Sequence, residues 1–214
     1  MKIFLFLSVI LLGACSGGAG LNMGQYADPN ATPEKFIYCY GYGCRNQVVT
    51  NFTEPEWKAI QKIFKKKSKT PEAERDKIAK AIAKMERYMG EEFGTKDDLP
   101  KAPLSKKSET ELDCIDETVN TTKFLKFLEQ ADLLVFHKVS RPVYKGYMVN
   151  GVYPHNSAAV QETDSGDIYV IDSYIFENGA EPNIRKLDSW YQYRVEELEQ
   201  AEKMTRAVAD QLTP

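Results

Sequence analysis

Residues 111–125 read ELDCIDETVNTTKFL, and this stretch indicates how the middle of the chain folds. Asp113 is a residue type that caps helices, because its carboxylate accepts hydrogen bonds from the backbone N–H groups that have no partner in the first turn. Apolar residues then follow with helical spacing: Ile115, Val119, Leu125 and Leu128. The pattern predicts a helix that begins next to Asp113, with Cys114 in its first turn.

Cys114 lies where a helix stabilises negative charge. Unpaired backbone N–H groups and the positive end of the helix dipole meet at the N-terminus, and both favour the thiolate, which is the nucleophilic form of cysteine. Three carboxylates surround it in the sequence: Asp113, Asp116 and Glu117. Asp116 is expected to point away from Cys114, whereas Glu117 shares its face of the helix and would disfavour the thiolate if it were charged.

Two earlier helices are predicted upstream of this one. Thr53 and Glu56 form a capping-box pattern at the start of the first. Pro71 suits the first turn of the second helix, which Gly90 and Gly94 are expected to end. Four apolar residues lie on one face of the second helix: Ile78, Ile82, Met85 and Met89.

After the third helix the sequence pattern becomes typical of strands. The segments LLVFHKVSRPV (133–143), GYMVNGVYPHNSAAVQE (146–162) and DIYVIDSYIF (167–176) predict strands, and TDSG (163–166) predicts a turn. Asp188 is then expected to cap a long C-terminal helix. The apolar side of that helix would consist of Val195, Leu198, Thr205, Val208 and Leu212. Helices followed by a run of strands indicate an α+β fold with an antiparallel sheet.

His155 and Asp172 are predicted to face each other across a hairpin, because they lie on the two segments that flank the turn at 163–166. Across an antiparallel turn of even length, an odd-numbered and an even-numbered residue point to the same side of the sheet. An imidazole that takes up the thiol proton and a carboxylate that orients the imidazole are the partners that a cysteine nucleophile needs. The candidate catalytic residues are therefore Cys114, His155 and Asp172.

Four cysteines occur in the chain, and two of them are close in sequence. Cys39 and Cys44 flank Gly41 and Gly43, which let the backbone turn tightly, so a disulfide between the two cysteines is predicted. A metal site on this pair would need two more ligands, and the chain has only two histidines. Cys114 then remains as a reactive thiol. The alternative is that Cys114 bridges to Cys39 or Cys44 and has only a structural role.

The N-terminus has the pattern of an export signal. The apolar run at 3–12 is too short to span a bilayer comfortably and ends in small residues. The sequence LGAC at 12–15 resembles the lipobox of bacterial lipoproteins, in which the signal is cut before the cysteine and that cysteine, here Cys15, receives the lipid. By the same resemblance, Ser16 favours the outer membrane. The alternative is ordinary secretory cleavage near Ala14, with Cys15 as a free thiol.

These patterns divide the chain into a lipoprotein signal peptide (1–14), a flexible lipid tether (15–35) and a single domain (36–214).

The net charge of −3 gives no reason to expect nucleic acid as a partner. The expected partners are the membrane, through the N-terminal lipid, and a peptide, a protein or a peptidoglycan stem. No metal or organic cofactor is expected. The domain is expected to face the periplasm, where disulfides persist, with exposure at the cell surface as the alternative.

The order of the candidate residues resembles that of an enzyme family. A cysteine at a helix start, then a histidine on one strand and an aspartate on the next, resembles the transglutaminase-like branch of the papain-type cysteine enzymes, and within it the bacterial transglutaminase-like cysteine proteinases. The matching segments are DCIDETVNTTKFL (113–125), YPHNSAAVQE (153–162) and IYVIDSYIFENG (168–179). The CYGYGC element at 39–44 is similar to one in a set of proteobacterial lipoproteins.

The resemblance implies a transglutaminase-like core that performs thiol acyl-transfer chemistry on amides. Cys114 would match the nucleophile, His155 the general base and acid, and Asp172 the orienting carboxylate, while the backbone N–H of Cys114 would help to hold the oxyanion. The expected function is amide hydrolysis or acyl transfer by an outer-membrane-anchored lipoprotein. One alternative is a non-catalytic binding or assembly lipoprotein of the envelope with the same fold. Another is a structural lipoprotein with Cys114 in a disulfide.

Two further polar residues have weaker signals. His137 alternates with apolar neighbours and is predicted to face solvent. Asn120 lies one and a half turns beyond Cys114 on the predicted helix, where it could serve the site, but a solvated surface role is the expectation.

Overall fold

The computed structural model describes Tyr26 and residues 28–101, 109–146 and 154–193. Within these residues, four α-helices accompany an antiparallel sheet of five strands and a separate hairpin of two strands. The predicted α+β class with an antiparallel sheet is therefore confirmed. None of the described helices combines the length and the apolar character needed to cross a lipid bilayer.

A hairpin closed by a disulfide forms the first part of the described fold. Strands β1 (Phe36–Tyr40) and β2 (Asn46–Thr50) pair antiparallel, and the predicted disulfide between Cys39 and Cys44 is present. At Gly41 the φ angle is +83°, and a Cβ atom there would come within 3.1 Å of a neighbouring backbone oxygen. This position therefore requires glycine.

Local sequence signals set the ends of the first two helices. At the start of α1 (Glu54–Gln61), the Thr53 hydroxyl accepts from the N–H of Glu56, whose carboxylate accepts from the N–H of Thr53 at 2.7 Å, which is the predicted capping box. The second helix, α2 (Pro71–Phe93), begins at a proline, as predicted, and ends at Gly94 in the left-handed conformation. One 3₁₀ turn follows each helix: Lys62–Phe64 and Thr95–Asp97.

The five-stranded sheet lies against the third helix, α3 (Cys114–Gln130). Its strands are β3 (His137–Val139), β4 (Val143–Lys145), β5 (His155–Glu162), β6 (Ile168–Asp172) and β7 (Asn183–Lys186). The strand order is β3-β5-β6-β7, and β4 also pairs with β5. The short helix α4 (Leu187–Gln192) follows β7 directly and packs on β6 and β7. The strand β5 therefore lies in the centre of the sheet, with α3 packed against it.

One hydrophobic core joins the helices, the hairpin and the sheet. All four residues predicted for the buried face of α2 are at most 1% exposed: Ile78, Ile82, Met85 and Met89. Aromatic rings connect the hairpin to α3, since the ring of Phe36 lies 6.1 Å from that of Phe124 and 5.3 Å from that of Phe127. These contacts fix the hairpin against the helix that carries Cys114.

Two element boundaries before β5 differ from the predicted ones. The segment 133–143 forms two strands rather than one, because β3 ends at Val139 and β4 begins at Val143. Pro142 lies between them and has no N–H to donate to a sheet. Gly90 lies inside α2 and not at its end, in a place where a Cβ atom would come within 3.1 Å of the Cα of Lys96.

The C-terminal helix also begins differently from the prediction. Lys186, rather than Asp188, is the residue that precedes α4. Asp188 lies in the first turn, where its negative charge interacts favourably with the helix dipole. The residues predicted for the rest of that helix, 194–214, lie outside the described part of the chain.

The packed structure begins upstream of the predicted domain start at residue 36. Ala31 belongs to the hydrophobic core, Thr32 and Lys35 form an isolated β-bridge, and the carbonyl oxygen of Pro33 accepts a hydrogen bond from the N–H of Phe52 at 2.7 Å. The predicted signal peptide and Cys15 lie outside the described residues.

Candidate active site

Cys114 is the first residue of α3. The carboxylate of Asp113 accepts hydrogen bonds from the N–H groups of Ile115 at 2.9 Å and Asp116 at 3.0 Å. The Asp116 carboxylate in turn accepts from the N–H of Asp113 at 3.1 Å, which completes a capping box. Cys114 is a free thiol and is 9% exposed. A disulfide from Cys114 to either of the other two described cysteines is thereby excluded.

The loop closed by the Cys39–Cys44 disulfide is hydrogen-bonded to the first turn of α3. The backbone N–H groups of Tyr42 and Cys44 donate to the Asp116 carboxylate at 2.8 Å and 2.6 Å. Asp116 thus points towards the loop and away from Cys114, as predicted. Because the same carboxylate also caps the helix, the loop and the helix start are held as one unit.

Asn120 fastens the hairpin to the next turn of α3. Its side-chain oxygen accepts from the N–H of Cys39 at 2.9 Å, and its amide group donates to the carbonyl oxygen of Cys39 at 2.7 Å. Asn120 is only 3% exposed, so the prediction of a solvated role for it is wrong. The Asn120 side chain thus forms, with the backbone of Cys39, the two hydrogen bonds that a neighbouring strand would form at this edge of β1.

His155 and Asp172 are in direct contact. The Nε2 atom of His155 lies 3.0 Å and 2.9 Å from the two carboxylate oxygens of Asp172. The register of β5 and β6 pairs Ala158 with Ile171, so His155 and Asp172 are diagonal neighbours on one face, as the parity argument predicted. Both side chains are almost fully buried.

Two aromatic residues that the sequence analysis did not single out complete the surroundings of the imidazole. The indole N–H of Trp190 donates to the Asp172 carboxylate at 2.7 Å, and the indole ring lies 5.6 Å from the ring of His155. The ring of Tyr174 lies 5.3 Å from the imidazole. Asp172 is therefore held by His155 and by Trp190, and the imidazole is packed between aromatic groups.

Lys145 is a third residue that the sequence analysis missed. Its ammonium group lies 4.0 Å from the centre of the Trp190 ring and donates to the backbone oxygens of Trp190 and Tyr193 at 2.9 Å and 3.2 Å. Its charge also helps to lower the pKa of Asp172. Lys145 thus fixes the indole that holds Asp172 and stabilises the carboxylate form of Asp172.

The second ring nitrogen of His155 is turned away from Asp172. This atom, Nδ1, is buried and has no hydrogen-bond partner among the described residues. Cys114 nevertheless raises the pKa of the imidazole, so the thiol lies beside the ring. The structure thus brings all three candidate residues together, with one imidazole nitrogen held by Asp172 and the other left for Cys114.

The imidazole is positively charged at neutral pH. Burial lowers the pKa of His155, but the charge and hydrogen bond of Asp172, together with Cys114, more than offset burial and raise the pKa to about 9. Burial likewise raises the pKa of Asp172, but the charge of His155 and its hydrogen bond outweigh burial and lower the pKa. Cys114 therefore lies next to a buried pair of a carboxylate and an imidazolium.

Glu117 does not oppose a thiolate in the way that its position in the sequence suggests. Burial raises the pKa of Glu117 well above its usual range, and neighbouring carboxylates at Glu86, Asp98, Asp116 and Asp172 raise it further. The residue is 5% exposed. The raised pKa favours the uncharged form of Glu117, which lessens the negative charge behind Cys114.

The titration of Glu117 predicts a pH dependence of stability. A carboxyl group with a raised pKa contributes stability below its unfolded pKa of about 4.3, and this stability is lost as pH rises towards the folded pKa. We expect the unfolding free energy of Glu117→Gln, which does not titrate, to rise relative to that of the wild type as the pH increases from 5 to 8. Urea unfolding at both pH values measures this gain.

Glu91 provides a control for this experiment, because it is an exposed glutamate on α2. Glu91→Gln should follow the wild type at both pH values. If Glu117→Gln showed the same pH dependence as the wild type, Glu117 would be charged in the folded protein at neutral pH.

The hydrogen bond from Trp190 to Asp172 predicts a moderate loss of stability on substitution. Trp190→Phe keeps an aromatic ring against His155 but removes the indole N–H, and hydrogen bonds to charged groups contribute about 1.5–3 kcal/mol. We expect this loss in urea unfolding at pH 7. Tyr191→Phe is the control, since Tyr191 is 52% exposed. Equal stability of the two variants would contradict a structural role for the indole N–H.

The other histidine has a different role from the predicted one. His137 is 4% exposed, so the prediction that it faces solvent is wrong. Its Nδ1 atom lies 2.9 Å from a Glu74 carboxylate oxygen, and its Nε2 atom lies 3.1 Å from the guanidinium of Arg75. Glu74 also accepts hydrogen bonds from three consecutive backbone N–H groups, at 135–137. His137 thus belongs to a satisfied network that anchors β3 to α2.

Among the described residues, no group of three or more histidine, cysteine, aspartate or glutamate side chains has the arrangement of a metal site. Comparisons of the chain with protein-family models, with curated proteins and with solved structures found no match.

Proposed function

We propose that this protein is a thiol-dependent enzyme that hydrolyses amides or transfers acyl groups, with Cys114 as the nucleophile, His155 as the proton carrier and Asp172 as the orienting carboxylate. The observation that carries the proposal is the His155 imidazole, which has one nitrogen 2.9 Å from Asp172 and a second, buried nitrogen without a partner beside Cys114. A histidine with only a structural role would normally have both nitrogens satisfied, as His137 has.

The proposed reaction begins with the thiolate of Cys114. Its sulfur attacks the carbonyl carbon of an amide, and the imidazolium of His155 gives its proton to the leaving amine as the carbon–nitrogen bond breaks. The product is a thioester on Cys114. Water or a second amine then attacks the thioester, His155 takes up the proton of that nucleophile, and the thiolate leaves.

Backbone groups at the start of α3 suit the charge that develops on the carbonyl oxygen. The helix dipole and the N–H of Cys114 lie at this end of α3, where a negative oxygen is stabilised. Glu117 supports the same proposal, because its raised pKa favours the uncharged form and so lessens the negative charge behind Cys114.

We further propose a transglutaminase-like core and a peptide, a protein or a peptidoglycan stem as the substrate. The chain order of helix cysteine, strand histidine and strand aspartate supports the core. The substrate class follows from the proposed location in the periplasm, where a lipid on Cys15 would hold the protein at the outer membrane.

The function can be tested with a mixture of short peptides analysed by mass spectrometry. We expect the wild type to produce cleaved or transpeptidated products and Cys114→Ala to produce none. A Cys114→Ala variant that folds and gives the same products as the wild type would refute the thiol mechanism. Folding of the variant is checked by circular dichroism and by the oxidised state of Cys39 and Cys44.

The lipid anchor is tested at Cys15. Replacing Cys15 with alanine removes the atom that would carry the lipid, so we expect the protein to leave the membrane fraction for the soluble periplasmic fraction or to remain unprocessed. Cell fractionation with immunodetection measures this change. Full processing together with retention in the membrane would contradict the lipoprotein proposal.

A further inference from the structure

A cavity of about 380 Å³ lies beside the middle of α3, away from the residues of the proposed reaction. None of Cys114, His155 and Asp172 lines it. Its walls come from α3, from the segment before β1 and from the connection between β3 and β4. At about 30 Å³ per water molecule, it has space for about a dozen non-hydrogen atoms, and its volume is within the range of small-molecule sites.

Cationic side chains outnumber acidic side chains in the lining of this cavity. Lys123, Lys126 and Arg141 line it together with two acidic residues, Asp28 and Glu129. The acidic residues already accept hydrogen bonds from the backbone, Asp28 from its own loop at 3.2 Å and Glu129 from β3 at 2.7 Å. In the described part of the chain, no ion pair joins Lys126 or Arg141 to a carboxylate.

The buried member of this set is Lys123, which is 7% exposed and donates to the carbonyl oxygen of Ile37. Burial lowers the pKa of Lys123 to about 8, and although the charge of Asp28 raises the pKa, the like charge of Lys126 lowers it. Two ammonium groups therefore repel each other at the cavity. An anion between them would reduce that repulsion and would gain charge-assisted hydrogen bonds.

Thr122 provides an independent sign of a missing partner. It lines the cavity and is 4% exposed, and its hydroxyl oxygen is buried without a hydrogen-bond partner among the described residues. A buried hydroxyl normally has a partner, because leaving it unpaired costs about 1–3 kcal/mol. Thr122 thus adds a buried hydroxyl without a partner to the wall of the cavity.

The remaining walls are apolar. Phe127 and Ala31 are buried core residues that line the cavity, and Val139 and Pro142 line it on the side of the sheet. Apolar walls beside a cationic group suit a ligand with a carboxylate at one end and a small aliphatic body. A bare inorganic anion would leave these walls without contacts.

We propose that this cavity binds the free α-carboxylate end of a short peptide with small aliphatic side chains. Lys126 and Arg141 bind the carboxylate, and Lys123 adds positive charge from the buried side of the cavity, next to Thr122. The aliphatic side chains pack against Phe127 and its neighbours. The size of the cavity corresponds to about two residues of such a peptide.

Isothermal titration calorimetry with N-acetyl-alanyl-alanine tests the proposal, with the C-terminal amide of the same peptide and inorganic phosphate as comparison ligands. We expect the free acid to bind saturably and at least about tenfold more tightly than the amide, because only the acid can form charge-assisted hydrogen bonds. Equal binding of acid and amide would overturn the proposal, and so would the absence of saturable binding. Phosphate that binds as tightly as the acid would overturn the peptide assignment.

Variants at the cavity provide the second part of the test. Lys126 and Arg141 are exposed, so replacing both with alanine should leave the fold intact and weaken binding of the free acid by about tenfold or more. Lys138→Ala is the matched control, because Lys138 is exposed on β3 and does not line the cavity. Cys114→Ala should bind like the wild type. Unchanged affinity in the double variant, or an equal loss in Lys138→Ala, would refute the site.

Discussion

Replacing His155 with alanine is expected to slow the alkylation of Cys114 by iodoacetamide about tenfold or more at pH 7. The wild-type imidazole has a pKa of about 9 and is therefore positively charged next to the thiol. Alanine removes this positive charge and the acid–base group beside the sulfur, so attack of Cys114 on the reagent is expected to be slower. Intact-mass spectrometry over time gives the rate, because Cys114 is the free thiol among the described cysteines.

The unfolded protein is the control for this measurement. In urea the variant and the wild type should react at the same rate, since neither thiol then has an ordered neighbour. Equal rates in the folded proteins would show that His155 does not influence the thiol, and Cys114 would then be an inert buried cysteine.

Asp172→Asn is expected to have the largest effect on stability and on the charge of the imidazole. It breaks a buried ion pair and leaves His155 in an environment that, by burial alone, lowers its pKa. We expect the pKa of His155 to fall from about 9 to below about 6.5. We also expect the unfolding free energy at pH 6 to fall by ~3–5 kcal/mol.

The pH window of this loss follows from the two pKa shifts. The raised pKa of His155 stabilises the fold fully below about pH 6.5, and this contribution disappears as pH rises through about 9. The lowered pKa of Asp172 contributes above about pH 4 and disappears as pH falls further. The deficit of Asp172→Asn should therefore be largest between about pH 4 and pH 6.5 and should shrink above pH 9.

NMR titration of the two histidine rings and urea unfolding measure these effects, and the ring of His137 serves as the internal reference. Asp164→Asn is the matched control, because Asp164 is exposed in the turn between β5 and β6. Iodoacetamide alkylation of Cys114 should slow less in Asp172→Asn than in His155→Ala, since Asp172 acts through the imidazole. A His155 ring that kept a pKa near 9 in Asp172→Asn would contradict the ion pair.

The place of Cys114 at the helix start and the contact between His155 and Asp172 could be predicted because local rules fix each step. A capping residue at Asp113 sets the helix start, and the parity of residues across a tight turn sets the facing side chains. The Cys39–Cys44 disulfide followed from spacing and from the glycines between the cysteines. Each of these inferences needs only neighbours in the sequence or on the next strand.

The features that the sequence did not reveal depend on contacts between distant segments. Trp190 reaches Asp172 only because β7 returns beside β6 and α4 follows it directly. Asn120 was expected on the surface, but the hairpin covers that side of α3 and turns the residue into a partner for the backbone of Cys39. Polar residues buried in this way look like surface residues in a periodicity analysis.

The protonation states of the buried carboxyl groups also depend on contacts between distant segments. Glu117 has the sequence context of a charged surface residue that would disfavour a thiolate. The fold instead packs it near Glu86 and Asp98, and burial raises the pKa of all three groups. Their charge state is set by tertiary packing, which an individual helix pattern does not contain.

Trapping of a thioester tests the thiol mechanism most directly. The native protein is mixed with the p-nitrophenyl ester of N-acetyl-alanine, quenched in acid and analysed by intact mass, with Cys114→Ala and the urea-unfolded wild type as controls. The thiolate should displace p-nitrophenolate, so the predicted result is one added acyl group on Cys114. This group should form faster in the native protein than in the unfolded protein. It should be absent from Cys114→Ala. Acylation of native Cys114 that is no faster than in the unfolded protein, or equal acylation of Cys114→Ala, would contradict the proposed mechanism.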